Sequence, residues 1–200
     1  MAETSHLGLR ERNRIRTHEE ILIAVSTLLG ERAFEHITID DVAQLSGVSR
    51  GTVYTYFPDG RDQLVREAYV RIAEIVASDG AKRRGAHSDF TERVIALASA
   101  FTSVVVTPEG RFYGLIGSGF FGPIRGATGY ASGQVLSMLK EDLDVLREQG
   151  ELNVKAPTSE LAGLLGGAIR EMGSVAAEEP KRPPRLLSAL RFQCEAMRSR

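Results

Sequence analysis

The chain is expected to be all-α, with a small three-helix head at the N-terminus and a larger helical body behind it, about nine helices in total. Three observations predict this. Apolar residues recur at three- and four-residue spacing through most of the chain, with no convincing strand alternation and no internal repeat. Start and stop signals such as Thr38 with Asp41, Gly47, Ser49, Thr107-Pro108, Gly150 and Pro157-Thr158 cut that pattern into helix-sized pieces. Apolar residues make up 42% of the 200 positions, enough for a sizeable core. The expected boundaries are a mobile tail over 1–10, a head over 11–60 and a body over 61–200.

Helix 1 is expected from Glu11 to Leu29, where Ile15, Leu22, Val25, Leu28 and Leu29 form a stripe and Gly30 terminates it. Arg10, Arg12, Arg14 and Arg16 concentrate positive charge at its start, either as solvated charges or as attraction for flanking phosphates. Phe34 should anchor the following turn.

Residues 38–57 are the most informative. Thr38 and Asp41 have capping-box spacing: the hydroxyl can accept the amide three residues on, and the acid suits the positive end of the helix. Val42 and Leu45 continue at helical spacing, and Gly47 can take the left-handed C′ conformation that ends the helix. Ser49 caps a second helix that buries Val53 and Phe57 and exposes Arg50, Thr52, Tyr54, Thr55 and Tyr56. Two short helices joined by a three-residue turn with glycine form a helix-turn-helix. The exposed residues are all hydrogen-bonders without a carboxylate, a set suited to phosphates and base edges.

Ala33-Phe34, Thr38, Val42-Ala43 and Ser46 through Phe57 together resemble the DNA-binding domain of TetR-family transcriptional regulators, over roughly residues 12–70. The resemblance implies that Thr38, Tyr54 and Tyr56 contact phosphates and that Arg50, Gly51 and Thr55 lie nearest the base edges. Relatives often carry histidine where Tyr56 stands, and a phenol can also donate to a phosphate oxygen. Relatives usually place a lysine at the start of the fourth helix, one residue closer to the aromatic; here Arg61 follows a longer loop and is the corresponding candidate for a phosphate. The implied function is a homodimeric, ligand-responsive regulator, a repressor, that binds a near-palindromic DNA operator and is released by a small-molecule effector. A DNA-binding or architectural protein without small-molecule control is the alternative, followed by an α-helical enzyme or carrier.

After Pro58-Asp59-Gly60, where Asp59 and Asp62 offer a second capping box, helix 4 should run to about Ser78. Residues 79–88 read as a polar loop. Helices are then expected over 89–106, from Pro108 through Ile116, from about Val135 to Gly150, from Thr158 through Met172, and from Leu186 to Met197. Phe90, Phe101, Phe112, Tyr113, Phe120, Phe121, Tyr130 and Met138 gather in mid-body, either as ordinary core or as the wall of an effector cavity threaded by the glycine-rich stretch 117–133. TetR-like proteins bind effectors in this part of the chain. Glycine inside a soluble helix costs about 1 kcal/mol, so the small residues Ala162, Gly163, Gly166, Gly167 and Ala168 call for close helix approach. That approach is either within one subunit or in a dimer interface made with the last helix. The resemblance favours the dimer, with Leu161, Leu164, Leu165, Ala168, Leu187, Leu190 and Cys194 as its candidates.

A formal net charge of −1 excludes a generally basic coat, so DNA binding must rest on local placement. The single cysteine excludes an intrachain disulfide and fits a reducing cytoplasm. No apolar run approaches the ~18 residues of a membrane span, so no membrane association is expected. His6, His18, His36 and His87 lack metal-ligand spacing, and no nucleophile or acid–base pair stands out, so neither metal, cofactor nor catalysis is expected. Gly117-Ser118-Gly119-Phe120-Phe121-Gly122 matches a dinucleotide motif in letters only, because Pro123 follows and no strand–helix–strand unit surrounds it.

Overall fold

A computed structural model describes residues 8–116 and 130–199, except for the side chains of 130–132. Among these residues it contains nine α-helices: α1 (Leu9–Glu31), α2 (Ile39–Ser46), α3 (Arg50–Tyr56), α4 (Arg61–Gly85), α5 (Phe90–Val105), α6 (Arg111–Leu115), α7 (Tyr130–Glu148), α8 (Thr158–Glu178) and α9 (Pro183–Ala196). A 3-10 turn, Phe34–His36, joins α1 to α2. One isolated antiparallel bridge, Leu152 to Arg198, is the sole β pairing among the described residues. No helix among them is long and apolar enough to cross a membrane, and no three potential metal-ligating side chains cluster.

The all-α reading holds, and the local signals act as the sequence implies. Thr38 Oγ1 accepts the Asp41 amide at 3.1 Å, and Asp41 Oδ2 accepts the Thr38 amide at 2.9 Å. Gly47 closes α2 at φ 71°, and Ser49 Oγ accepts the Thr52 amide at 3.0 Å to open α3. A continuous apolar core runs from Ile21, Val42, Val53 and Phe57 in the head, along Leu64 and Ile72 of α4, to Leu139, Leu165 and Cys194 in the body. Burying each such large side chain is worth about 1.5–3 kcal/mol, so head and body are stabilised by one shared interior.

Four local expectations are corrected by tertiary contacts. Gly30 does not end α1, which continues to Glu31; a Cβ on Gly30 would lie 3.0 Å from the Pro108 carbonyl oxygen, so its role is close approach to the α5–α6 turn. The second capping box is absent: Gly60 is the N-cap of α4 without a side-chain cap, and Gln63 Oε1 accepts the Asp59 amide at 3.0 Å. The Pro108 start is displaced, since Thr107 Oγ1 caps a turn by accepting the Gly110 amide, and α6 begins at Arg111. Finally, α4 continues seven residues past Ser78 to Gly85. Asp79 pairs with Arg83 at 2.7 Å, Gly80 presses against Leu97, and Arg84 grips Asp142 of α7 through donors at 2.8 and 2.7 Å.

Two arginines tie α1 to the body. Arg71 of α4 donates to Glu19 of α1 at 2.6 Å and to Glu109 before α6 at 3.1 Å. Arg111 of α6 donates to the Gly30 carbonyl at 3.0 Å and to the Ala177 carbonyl of α8, also at 3.0 Å. The helix that walls the head therefore shares polar anchors with the helices of the body.

Candidate nucleic-acid interface

Helix α3, the second of the helix-turn-helix, is held outward by what it buries. Val53 and Phe57 are fully enclosed, while Arg50, Gly51, Tyr54 and Thr55 remain exposed. The His18 ring of α1 stacks on Phe57 with centroids 4.9 Å apart, and its Nε2 lies 3.1 Å from Glu67 of α4. One side chain thus links the wall of the head, the end of α3 and the start of α4. In the sequence His18 is one of four histidines without metal-ligand spacing, and nothing local marks this role.

The candidate residues divide by what their polar atoms already do. Tyr54 is 41% exposed, and the Arg50 guanidinium stands over its ring, 5.7 Å from the centroid. Tyr56 is half-buried against the core, its ring tilted toward His18. Thr55 Oγ1 donates back to the Gly51 carbonyl at 2.9 Å, so toward DNA it has an acceptor and a methyl group to offer. Ser49 and Thr52 share a hydroxyl–hydroxyl bond of 2.8 Å. Thr38 donates its hydroxyl to Asp41 at 2.7 Å, so its proton is committed inside the cap and its contribution is to fix the start of α2. The bonds from Thr38 lower the Asp41 pKa, with Arg32 adding to the effect.

Arg61, expected at a phosphate, already engages the head through one nitrogen. Its guanidinium carbon lies 4.1 Å over the Phe34 ring, and Nη1 donates to the carbonyls of Ile37 at 3.0 Å, Phe34 at 3.4 Å and Glu35 at 3.5 Å. Through these contacts the guanidinium braces the α1–α2 turn. Asp40, missed in the sequence, accepts from Arg50 Nη1 at 2.9 Å across the helix-turn-helix.

In the body, the aromatic group is only partly assembled. Phe101 and Tyr113 meet edge-to-face at 5.8 Å, and Tyr113 lies 4.8 Å from Tyr69; burial raises the pKa of both tyrosines. Phe90 and Phe112 are buried core, and Met138 is half-buried beside it. Phe120, Phe121 and the Tyr130 side chain lie outside the described residues.

The dimer candidates divide in the same way. Leu161, Leu165, Leu190 and Cys194 are buried inside the protomer, which corrects their assignment to a surface. Burial pushes the Cys194 thiol up to about 12. Ala168 and Leu187 are half-buried, and Leu164 is 72% exposed. Phe192 of α9, absent from the expected set, is 74% exposed. Gly163 and Gly167 lie near Leu164 on α8, with open space where a Cβ would stand.

Comparison with known proteins agrees with this architecture. Residues 21–68 match the model for bacterial regulatory proteins of the tetR family. An uncharacterised HTH-type transcriptional regulator of Mycobacterium tuberculosis is 42% identical over 60 residues, which span 30% of this chain and 31% of that relative. The fatty acid degradation regulator FadR from Bacillus halodurans has the same fold at a TM-score of 0.77 and 14% identity, covering 90% of this chain and 94% of its own. AibR, solved with isovaleryl coenzyme A and operator DNA, gives 0.70 at 13% identity over 88% and 97% of the two chains. The helix-turn-helix head is thus similar in sequence to bacterial regulatory proteins of the tetR family, and the chain shares the fold of FadR and AibR over most of its length.

Proposed function

We propose that the protein is a homodimeric transcriptional repressor that binds a near-palindromic duplex operator and is released by a small-molecule effector held in its body. The observation that carries this reading is the short α3 helix, anchored by buried Val53 and Phe57 and presenting Arg50, Tyr54 and Thr55 outward. The helix carries no carboxylate of its own, a composition suited to phosphates and base edges. Two such helices, one per subunit, would enter successive major grooves about 34–36 Å apart. Exposed Leu164, flanked on α8 by the open Gly163 and Gly167 positions, and exposed Phe192 of α9 support pairing of the two helices with a second copy.

Effector control draws support from AibR, solved with both a coenzyme A thioester and its operator, and from the continuous core that joins head to body here. An effector acts only if it prefers the conformation that fits DNA poorly, since equal affinity shifts nothing. The test is a mobility-shift titration on the fragment upstream of the protein's own gene, with and without a panel of metabolites. Retardation that weakens with salt and with Tyr54→Phe, and is reversed by a metabolite, supports the reading. Failure to retard any promoter fragment sinks it.

A further inference from the structure

Asp40 is an acid standing where the proposed function would least tolerate one. It occupies the first turn of α2, beside the recognition helix, and is exposed like its partner Arg50: 66% and 59% of the two side chains face solvent. A carboxylate there repels the phosphates that supply most of the affinity for DNA. Stability does not explain it, because ion pairs this exposed contribute little. An acid in the first turn suits the positive start of α2, but Thr38 and Asp41 already complete the capping box, and that helix-start effect does not require a bond to Arg50.

What the Asp40 carboxylate does is hold one edge of a guanidinium. Arg50 Nη1 donates to Asp40 Oδ2 at 2.9 Å, while the Tyr54 ring lies beneath the same guanidinium. These two contacts restrain the guanidinium from the side and from below. Among the described residues, Nε and Nη2 have no hydrogen-bond partner. An arginine with one edge held and another free presents two parallel donors, the pattern that matches O6 and N7 of guanine. Fixing the side chain before binding removes rotamer entropy that a free arginine would lose on the DNA. A fixed fork also penalises bases that cannot accept from both donors.

We propose that Asp40 is a specificity-determining positioning residue, orienting Arg50 to read a guanine in each half-site at the expense of general affinity for DNA. The proposal rests on the operator-binding reading above. It makes two predictions of opposite sign for Asp40→Asn: non-specific affinity rises with loss of the negative charge, and discrimination at one position falls.

The test is selection of bound duplexes from a randomised pool by the full-length protein, followed by competition binding at fixed salt. For the wild type, a guanine should be enriched at one symmetric position, and Arg50→Ala should abolish that preference. Asp40→Asn should relax the same position by about tenfold, within the range of one bidentate contact. It should also bind unrelated duplex more tightly, and the double variant should match Arg50→Ala alone. Circular dichroism establishes that the variants are folded. Asp40→Asn preferences unchanged at every position, or a selected site without an Arg50-dependent guanine, would overturn the proposal while leaving operator binding intact. Absence of any salt-dependent DNA binding by the wild type would remove both.

Discussion

The Arg61 guanidinium lies 4.1 Å above the Phe34 ring and donates to the Ile37 carbonyl at 3.0 Å, joining the start of α4 to the turn that sets the angle between α1 and α2. Arg61→Ala should therefore lower head stability, by about 1–3 kcal/mol for a charged hydrogen bond with its ring contact. Arg61→Lys should recover only part of this, because an ammonium lacks the planar fork. Urea unfolding followed by tyrosine fluorescence would measure both. A stability unchanged by Arg61→Ala, with operator affinity reduced, would return Arg61 to the DNA surface.

Asp142 is 2% exposed and faces two cations: Arg84 at 2.7 Å and Arg93 at 2.9 Å. Hydrogen bonding to Asp142 raises the Arg84 pKa, so the cation stays charged. Asp142→Ala strands that charge and should cost about 3–5 kcal/mol. Glu141→Gln removes only the exposed partner of Arg84, 61% open to solvent, and should cost under about 1 kcal/mol. Chemical denaturation of the two variants should separate them clearly.

The capping box makes a prediction about acid. Asp41 is held below its ordinary 3.8 by bonds from Thr38. A carboxylate with a lowered folded pKa stabilises the protein above the unfolded value, and that contribution disappears as pH falls through the folded one. Between neutrality and pH 5 the benefit of Asp41 over Asp41→Asn should be constant. Below about pH 4 the two melting curves should converge. Thermal melts across that range provide the measurement.

Leu164 and Gly173 distinguish the two faces of α8. A Cβ on Gly173 would run into the Phe101 ring, so Gly173→Ala should destabilise the protomer by about 1–3 kcal/mol through overpacking. Leu164 is 72% exposed, and Leu164→Glu should leave the fold unaffected while light scattering reports loss of the proposed dimer. A Leu164→Glu protein that remains dimeric would place the interface elsewhere.

Features decided within a few residues were legible in the sequence. Thr38 with Asp41, Gly47 and Ser49 each form a bond or backbone conformation that needs no distant partner, and each occurs where expected. What escaped depends on other elements. Asp79-Gly80 reads as a break in isolation, yet Gly80 is needed for α5 to approach, and Arg84 is held by α7. Arg61 looked like a surface cation until the α1–α2 turn supplied three carbonyls. The same limit hid Asp40: ten residues from Arg50 in sequence, it becomes a neighbour only once the two helices cross. In the dimer set, Leu161 and Leu164 share a periodicity that cannot say which side of α8 is already covered.

The length of α4 has a mechanical consequence. Its 25 residues span about 37 Å at 1.5 Å each, running unbroken from the Arg61 brace to the Arg84–Asp142 grip. Tilting such a rod by about 5° at the grip would sweep its other end through roughly 3 Å, a quarter of a major-groove width. In the proposed dimer, a rearrangement around Asp142 no larger than a side-chain repacking would thus bring two heads out of step with the helical repeat of DNA.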